Sequence, residues 1–465
     1  MPLFNVILLV CHDLGRHLGC YGVETVNTPN LDRLAAQGVR FANHFCTAPS
    51  CSPSRAAIMT GRYPHSNGMM GLAHKPFNWT LHPTERHLAA IMRDAGFDTV
   101  LAGVQHETQH PETLGYAEII PQQANCVETA KLLGEWLGTR RGAAKPFYAC
   151  LGFFEPHRRF DHGGAKPDDS KGVWVPPYLV DSPATRADLA ALQGAIRRAD
   201  EGVGVLMEAL ARTGLDRETL VVFTTDHGIA FPRAKCTLYD PGTGTALIMR
   251  HPGFAGPKPG YAVASPGLLK AGDVRDELLS NVDLLPTLLD LLGGADIPVC
   301  HDGGQECPPH PIQGRSFAAL LAGGRYQKRE AIFTEKTFHT YYDPMRAVRT
   351  ERWKLIVNFE ESHRIEAPSD ILQSGSYLTM IPSLPAHRDD VELYDLASDP
   401  NETTNLAGKP EHADIERKLL ARLHTHMVET DDPLLKGPVV SPTYRAVRAL
   451  VCETGKKKPK KRKEN

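Results

Sequence analysis

The chain predicts an α/β layered fold, with a large, mostly parallel central sheet flanked by helices and a smaller C-terminal α+β unit. Three observations carry this. Apolar runs of strand length alternate with amphipathic helical stretches over the first 340 residues. The first run, "NVILLV" at 5–10, is apolar without interruption, as expected of a parallel strand covered on both faces. Past about residue 340 the alternation gives way to a hairpin and a lone helix. A main domain over 1–340, an α+β subdomain over 341–450 and a basic, disordered tail over 451–465 follow.

In chain order, 5–10 is the first strand. "TPNLDRLAAQG" (28–38) reads as a helix, with Thr28 capping, Pro29 opening it, Leu31, Leu34 and Ala35 inward, and Gly38 closing it. "CSPSRAAIMTGR" (51–62) opens another: Pro53 suits a first helical turn, and Ser52 or Ser54 can cap its orphan amides. Cys51 then lies at the positive end of a helix dipole with Arg55 one turn on, a place for an anion or for a nucleophile that attacks one. "PTERHLAAIMRDAG" (83–96) is a further helix, and "DTVLAGV" (98–104) and "PFYACLGFF" (146–154) are strands. The Gly-, Pro-, Asp- and His-rich segment 155–183 reads as a long loop, of the kind that often carries function. Residues 187–214 form one long helix or two, 219–226 a strand and 282–293 a helix. Beyond them, 346–359 suggests a hairpin, 391–400 a short strand and turn, and about 410–429 a helix.

Composition sets bounds. At 42% hydrophobic and 23% charged residues the 465-residue chain is an ordinary soluble protein of two or three domains. No apolar run approaches the roughly 20 residues of a membrane span. "MPLFNVILLV" has no basic n-region and no small-residue cleavage site, so no signal peptide is expected and a cytoplasmic location follows, periplasmic or secreted if a signal was removed. The formal charge is −2, but the tail "KKKPKKRKEN" carries seven basic residues and one acidic, which leaves −8 on the body. The tail reads as a solvated end, and no nucleic-acid or membrane partner is expected. The ten cysteines form no C-x-x-C, so reduced thiols are expected; Cys300 and Cys307, flanking "CHDGGQEC", could pair.

Four strands end in residues of catalytic type: 5–10 in His12-Asp13, 98–104 in His106, 146–154 in Glu155 and His157, 219–225 in Asp226-His227. In open parallel sheets ligands bind at the carboxyl ends of the strands, so parallel neighbours would bring all four sets to one crevice, with Cys51 facing them. Paired carboxylates and imidazoles can hold a divalent metal. Metal, cations and a helix N-terminus together make a site for a tetrahedral oxyanion ester.

"CSPSRAAIMTGR" resembles the signature C-x-P-S-R-A-x-x-x-T-G of the formylglycine-dependent sulfatases, members of the alkaline phosphatase-like superfamily. "TPNLDRLAAQGVRF" (28–41), "FTTDHG" (223–228) and "ELYDLASDPNETTNLAG" (392–408) are similar to further landmarks, in the family's order. "HSNGMMGL" (65–72), "FFEPHR" (153–158), "DHGIAFPRAKCTLYDPGT" (226–243) and "ETDDP" (429–433) resemble the heparan N-sulfatase (sulfamidase) subfamily. The resemblance implies an alkaline phosphatase/sulfatase-like fold with 1–340 as catalytic domain. It implies a sulfuric ester hydrolase acting on a sulfated small molecule or saccharide, such as N-sulfoglucosamine. It implies that a formylglycine-generating enzyme oxidises Cys51, that the aldehyde hydrates to a diol, and that one hydroxyl attacks sulfur while the other later expels sulfate. Arg55 would stabilise the diol, His106 hold one hydroxyl, His157 and Lys235 bind sulfate and assist the leaving group, and Asp13, Asp226 and His227 hold the metal. Cysteine phosphatases place Arg six residues after Cys; Arg55 is four after Cys51, which argues against a thiolate mechanism.

The chain departs from the family pattern twice. Asp-Asp of the first strand is replaced by His12-Asp13, and Asp-Asn by Asp226-His227. The family's ion is calcium, which takes oxygen ligands; two imidazoles favour Mn, Fe or Zn if both coordinate. The usual Gly-Lys-x-His becomes "GVQH" (103–106), so Val104 stands where a cation is expected; Gln105 offers a hydrogen bond without the charge. Two alternatives follow: hydrolysis of a phosphonate monoester or phosphodiester by a relative in the same superfamily, and a silent binding protein with unmodified Cys51.

Overall fold

The structure, a computed structural model, describes residues 4–250, 269–293, 311–361, 365 and 367–456. Eight strands form the main sheet among the described residues: β1 (Asn5–Cys11), β2 (Val39–Phe41), β3 (Asp98–Gly103), β4 (Glu118–Ile120), β5 (Phe147–Phe153), β6 (Thr219–Thr225), β7 (Leu247–Arg250) and β8 (Val274–Arg275). Their order is β4-β3-β5-β1-β6-β7-β2-β8. The strands β3, β5, β1 and β6 are consecutive and parallel, with Leu8 level with Cys150 on one side and Val222 on the other. Of the eight, β7 alone runs antiparallel to its neighbours.

The uninterrupted apolar run of β1 is explained by its two covered faces. Ile7 and Leu9, with Ala149, Leu151, Val221 and Phe223, pack against α1 (Pro29–Gln37), α4 (Cys126–Thr139) and α5 (Pro183–Thr213). Val6, Leu8 and Val10, with Cys150, Leu220 and Val222, pack against α2 (Cys51–Thr60), α3 (Leu88–Asp94) and α6 (Leu284–Leu291). Each Val, Leu, Ile or Phe among them contributes about 1.5–3 kcal/mol on burial, so both layers fix the strands that carry the pocket.

Several local expectations are corrected. Residues 187–214, expected as one helix or two, fall on one, α5, which ends at Thr213 with Gly214 as its cap and starts earlier, at Pro183, because Ser182 Oγ accepts from Thr185 N–H at 3.1 Å. The helix expected over 83–96 is only α3, because His87 Nδ1 accepts from Ala89 N–H and starts it there. Thr28 does not cap α1 with its side chain; its Oγ1 accepts from Gly19 N–H at 3.0 Å and donates to Asp32. Neither Ser52 nor Ser54 caps α2. Ser52 Oγ accepts from Ala73 N–H and Ser54 Oγ donates to the Asp226 carbonyl, so both bind the helix start to neighbouring segments.

The second sheet is antiparallel: β9 (Ile332–Phe338), β10 (Tyr342–Arg349), β11 (Trp353–Asn358) and β12 (Val391–Asp395), in that order. It begins at Ile332, ahead of the change of pattern at about 340. One face is covered by Leu419, Leu423 and Met427 of α7 (Ala413–Glu429). The other, with Met345, Ala347, Ile356 and Tyr394, presses on Leu238 and Tyr239, a few residues from Lys235. Arg349 and Lys354 pin Asp240 at 2.9 Å each. Residues 451–456, expected in a disordered tail, are the last turns of α8 (Pro442–Lys456); the rest of the tail, Cys300 and Cys307 lie outside the described residues. The other eight cysteines form no disulfide among the described residues. No helix among the described residues is long and apolar enough to cross a membrane.

Candidate active site

The carboxyl ends of β1, β3, β5 and β6 meet the N-terminus of α2. His12 and Asp13 follow β1, His106 follows β3, His157 follows β5, Asp226 and His227 follow β6, and Cys51 and Arg55 enter from α2. Lys235 reaches in from the loop after β6. Short contacts join every one of these residues into one cluster.

Backbone shape does part of the placing. Asp13 has φ 45° and His106 φ 133°, both in the region that side chains disfavour, so neighbours must hold them there. Asp226 Oδ1 accepts the backbone N–H of Asp13 at 3.0 Å and of His227 at 2.9 Å, tying the ends of β1 and β6 together. Gln105 Oε1 accepts from the backbone N–H of His106, Glu107 and Thr108, while Nε2 donates to the Thr108 carbonyl. Gln105 therefore builds the turn, spending its carbonyl oxygen and one Nε2–H on the backbone of 106–108.

Both added imidazoles face the carboxylates. His227 Nδ1 donates to the Gly228 carbonyl at 2.9 Å, which leaves Nε2 3.0 Å from Asp13 Oδ1 and 3.5 Å from Cys51 Sγ. His12 Nδ1 lies 3.0 Å from Asp13 Oδ1 and 3.3 Å from Asp226 Oδ2; its Nε2 meets His106 Nδ1 at 2.9 Å. Each ring thus turns one nitrogen to the centre and fixes the other outside it, the pattern that orients metal-binding histidines. One donor atom from each of His12, Asp13, Cys51, Asp226 and His227 lies within 4.8 Å of all the others. The set is buried and chemically suited to a divalent ion.

Burial penalises every charge here, so the shifts record which partners win. Burial works most strongly against protonated His12, but Asp226, Cys51 and the hydrogen bond to Asp13 together outweigh it and push the imidazole up to about 9. Burial would raise the Cys51 thiol; His12 and Lys235 draw it down to about 7. Burial, helped by His12 and Arg55, holds His106 well below the usual imidazole range, so it is neutral and accepts at Nδ1. Burial and Lys235 take His157 down to about 4. Its Nδ1 donates to the Arg158 carbonyl and its Nε2 accepts from Lys235 Nζ at 3.3 Å.

The cations are Arg55 and Lys235. Arg55 Nε donates to Asp226 Oδ2 at 3.0 Å and Nη1 to the Val104 carbonyl at 3.4 Å, while Nη2 is buried without a partner among the described residues. Lys235 Nζ donates to Asp13 Oδ2 at 2.7 Å. Two acids join the site that the sequence does not announce. Asp370 Oδ2 accepts from Lys235 at 2.9 Å across 135 positions of chain, and Glu107 is buried next to His106. "PSDIL" around Asp370 carries no spacing signal, and Glu107 is legible only as the neighbour of His106.

The sulfatase family model matches residues 4–295. Human N-sulphoglucosamine sulphohydrolase is 30% identical over 486 residues, covering 93% of this chain and 92% of its own length. Among solved structures, a 2-O GAG sulfatase superposes with TM-score 0.70 at 22% identity, covering 94% of this chain and 95% of that one. A phosphonate monoester hydrolase of Agrobacterium radiobacter gives 0.65 at 20%, covering 92% and 96%. The fold thus occurs with both sulfur and phosphorus esterases.

Proposed function

This chain belongs to the sulfatase family, and we propose that it releases sulfate from a sulfate ester or sulfamate of a sulfated sugar, N-sulfoglucosamine in particular. The observation that carries the reading is the cluster itself: a buried cysteine opening a helix, flanked by Arg55 and Lys235 and by two carboxylate–imidazole pairs. The near full-length match to the human sulphohydrolase supports the sugar.

Formylglycine, made from Cys51 by a formylglycine-generating enzyme, would supply the oxygen nucleophile at this position. Arg55 offers its buried, unpartnered Nη2–H to the developing negative charge. His106 accepts from His12 at Nδ1, which leaves its Nε2–H to orient a hydroxyl at position 51. Lys235 binds a sulfate oxygen, and the Lys235 Nζ–His157 Nε2 pair is the route by which a proton reaches the departing nitrogen or oxygen.

His12, Asp13, Asp226 and His227 would hold one divalent ion, which would polarise the sulfate oxygens. The inward turn of both imidazoles supports Mn, Fe or Zn over calcium. Elemental analysis of protein purified without added metal should find a transition metal near one per chain. Calcium alone at that ratio would show that an oxygen-preferring ion is tolerated and the inference is wrong.

The first test is sulfate release after co-expression with a formylglycine-generating enzyme. The panel is N-sulfoglucosamine, O-sulfated sugars and an aryl sulfate, beside a phosphonate monoester and a phosphodiester. Turnover of the N-sulfated sugar is expected, with a loss of at least about 10³-fold in Cys51→Ala. Val104, in place of a cation, and the Asp226-His227 pair are the features that favour the phosphorus esters; preference for them would replace the sulfatase reading.

A further inference from the structure

Every proton of the Lys235 ammonium is committed. An ammonium has three N–H donors. They go to Asp13 Oδ2 at 2.7 Å, Asp370 Oδ2 at 2.9 Å and His157 Nε2 at 3.3 Å. A sulfate oxygen therefore receives a hydrogen bond from Lys235 only when one of these partners lets go.

The three are not equally free to do so. The Asp13 side chain is 0% exposed and also holds His12 and His227. His157 is fixed through Nδ1 to the Arg158 carbonyl. Asp370 is the outer partner: its side chain is 19% exposed, and Lys235 is its one hydrogen-bond partner among the described residues. Its backbone is nonetheless anchored. Ile371 is fully buried against Ala230 and Tyr377, and Ala230 is three residues past His227. A fixed backbone with a releasable carboxylate puts an anion at the rim of a pocket built for an anion.

We propose that Asp370 determines substrate specificity. It holds Lys235 in the free enzyme, yields it to the incoming sulfate, and then accepts hydrogen bonds from O–H or N–H groups beside the scissile bond. This rests on the sulfated-sugar reading above. A carboxylate there is complementary to free hydroxyls and to a sulfamate or amine N–H. It repels a second sulfate on the same sugar. The substrate class is therefore a sugar carrying one sulfate and free hydroxyls, not a densely sulfated one.

Steady-state kinetics of wild type, Asp370→Asn and Asp370→Ala test this on three substrates: an aryl sulfate, N-sulfoglucosamine and N-sulfoglucosamine 6-sulfate. The aryl sulfate has no donor beside its ester and reports Lys235 alone. Losing a hydrogen bond to a charged group should raise KM for N-sulfoglucosamine by about 10-fold or more in Asp370→Ala. KM for the aryl sulfate should fall, because one Lys235 N–H is then free for the sulfate. In Asp370→Asn the kcat/KM ratio of disulfated to monosulfated sugar should rise by about 10-fold. These are ratios within one preparation, so partial misfolding does not imitate them. An equal loss on all three substrates, or unchanged ratios, overturns the proposal. Wild type that cleaves no sulfate from any of them overturns the sulfatase reading, and wild type that cleaves only the aryl sulfate overturns the sugar reading; either takes the role of Asp370 with it.

Discussion

Glu107 shows what a single residue can cost. It is 1% exposed, and neither carboxylate oxygen has a hydrogen-bond partner among the described residues. Burial pushes its carboxyl from the ordinary 4.5 to about 7, and Arg55 offsets only part of that. The folded chain therefore keeps a proton that the unfolded chain has released between those values. Stability falls as pH rises through that window, and at pH 8 the ionised group costs up to about 3 kcal/mol. Glu107→Gln should melt above wild type at pH 8, with the gap closing at pH 5. Equal melting temperatures at both pH values would mean that Arg55 fully compensates the charge. The identities of His12, Asp13, Cys51, Arg55, His106, His157, Asp226, His227 and Lys235 were legible from motif and strand position; Asp370, the outer partner of Lys235, was not, because nothing in local sequence marks a carboxylate 135 positions away.

Among the elements, the strands were the most legible and the helix starts the least. A strand covered on both faces shows as an apolar run, whereas a cap depends on where one hydroxyl turns. Ser52, Ser54 and Thr28 all carry good capping side chains and all spend them elsewhere. The junction of β3 and β5 makes a sharper demand. Gly103 lies opposite Gly152, and a Cβ on Gly152 would sit 1.7 Å from the Val104 carbonyl oxygen. Backbone cannot yield as a flexible side chain can, so Gly152→Ala must part the two strand ends and carry the 104–106 turn with them. A loss of about 3 kcal/mol or more in urea unfolding is expected, together with loss of sulfate release. A variant as stable as wild type would show that the turn can move without cost.

Across the whole molecule, buried imidazoles set the acid limit. Burial holds His17 down to about 4 and His44, His87 and His426 to about 3. Each is neutral when folded and takes up a proton when unfolded below its ordinary 6.5, so the stability it contributes is present above that value and lost as pH falls. Asp200, raised by burial to about 6, and Glu107 act in the opposite sense between pH 5 and 6. Glu402, raised by burial to about 7, joins those two, while His157, down to about 4, and His106 and His339, well below the usual imidazole range, join the four, so depressed imidazoles outnumber raised carboxyls and stability falls as pH drops there. Melts at pH 5 and pH 7 check this: Tm should be lower at pH 5, and an equal or higher value would contradict it. By itself the sequence determined the layered α/β class, the four strands with catalytic residues at their ends, the cysteine signature and the two histidine replacements. These are local facts, carried by periodicity, by strand ends and by contiguous motifs. Only the tertiary structure decided that β3, β5, β1 and β6 are parallel neighbours, that both imidazoles turn inward, that Gln105 serves the turn, and that Asp370 shares Lys235 with the site. Those depend on strand order and side-chain direction, which burial and hydrogen bonding fix among residues far apart in the chain, and which no local pattern encodes.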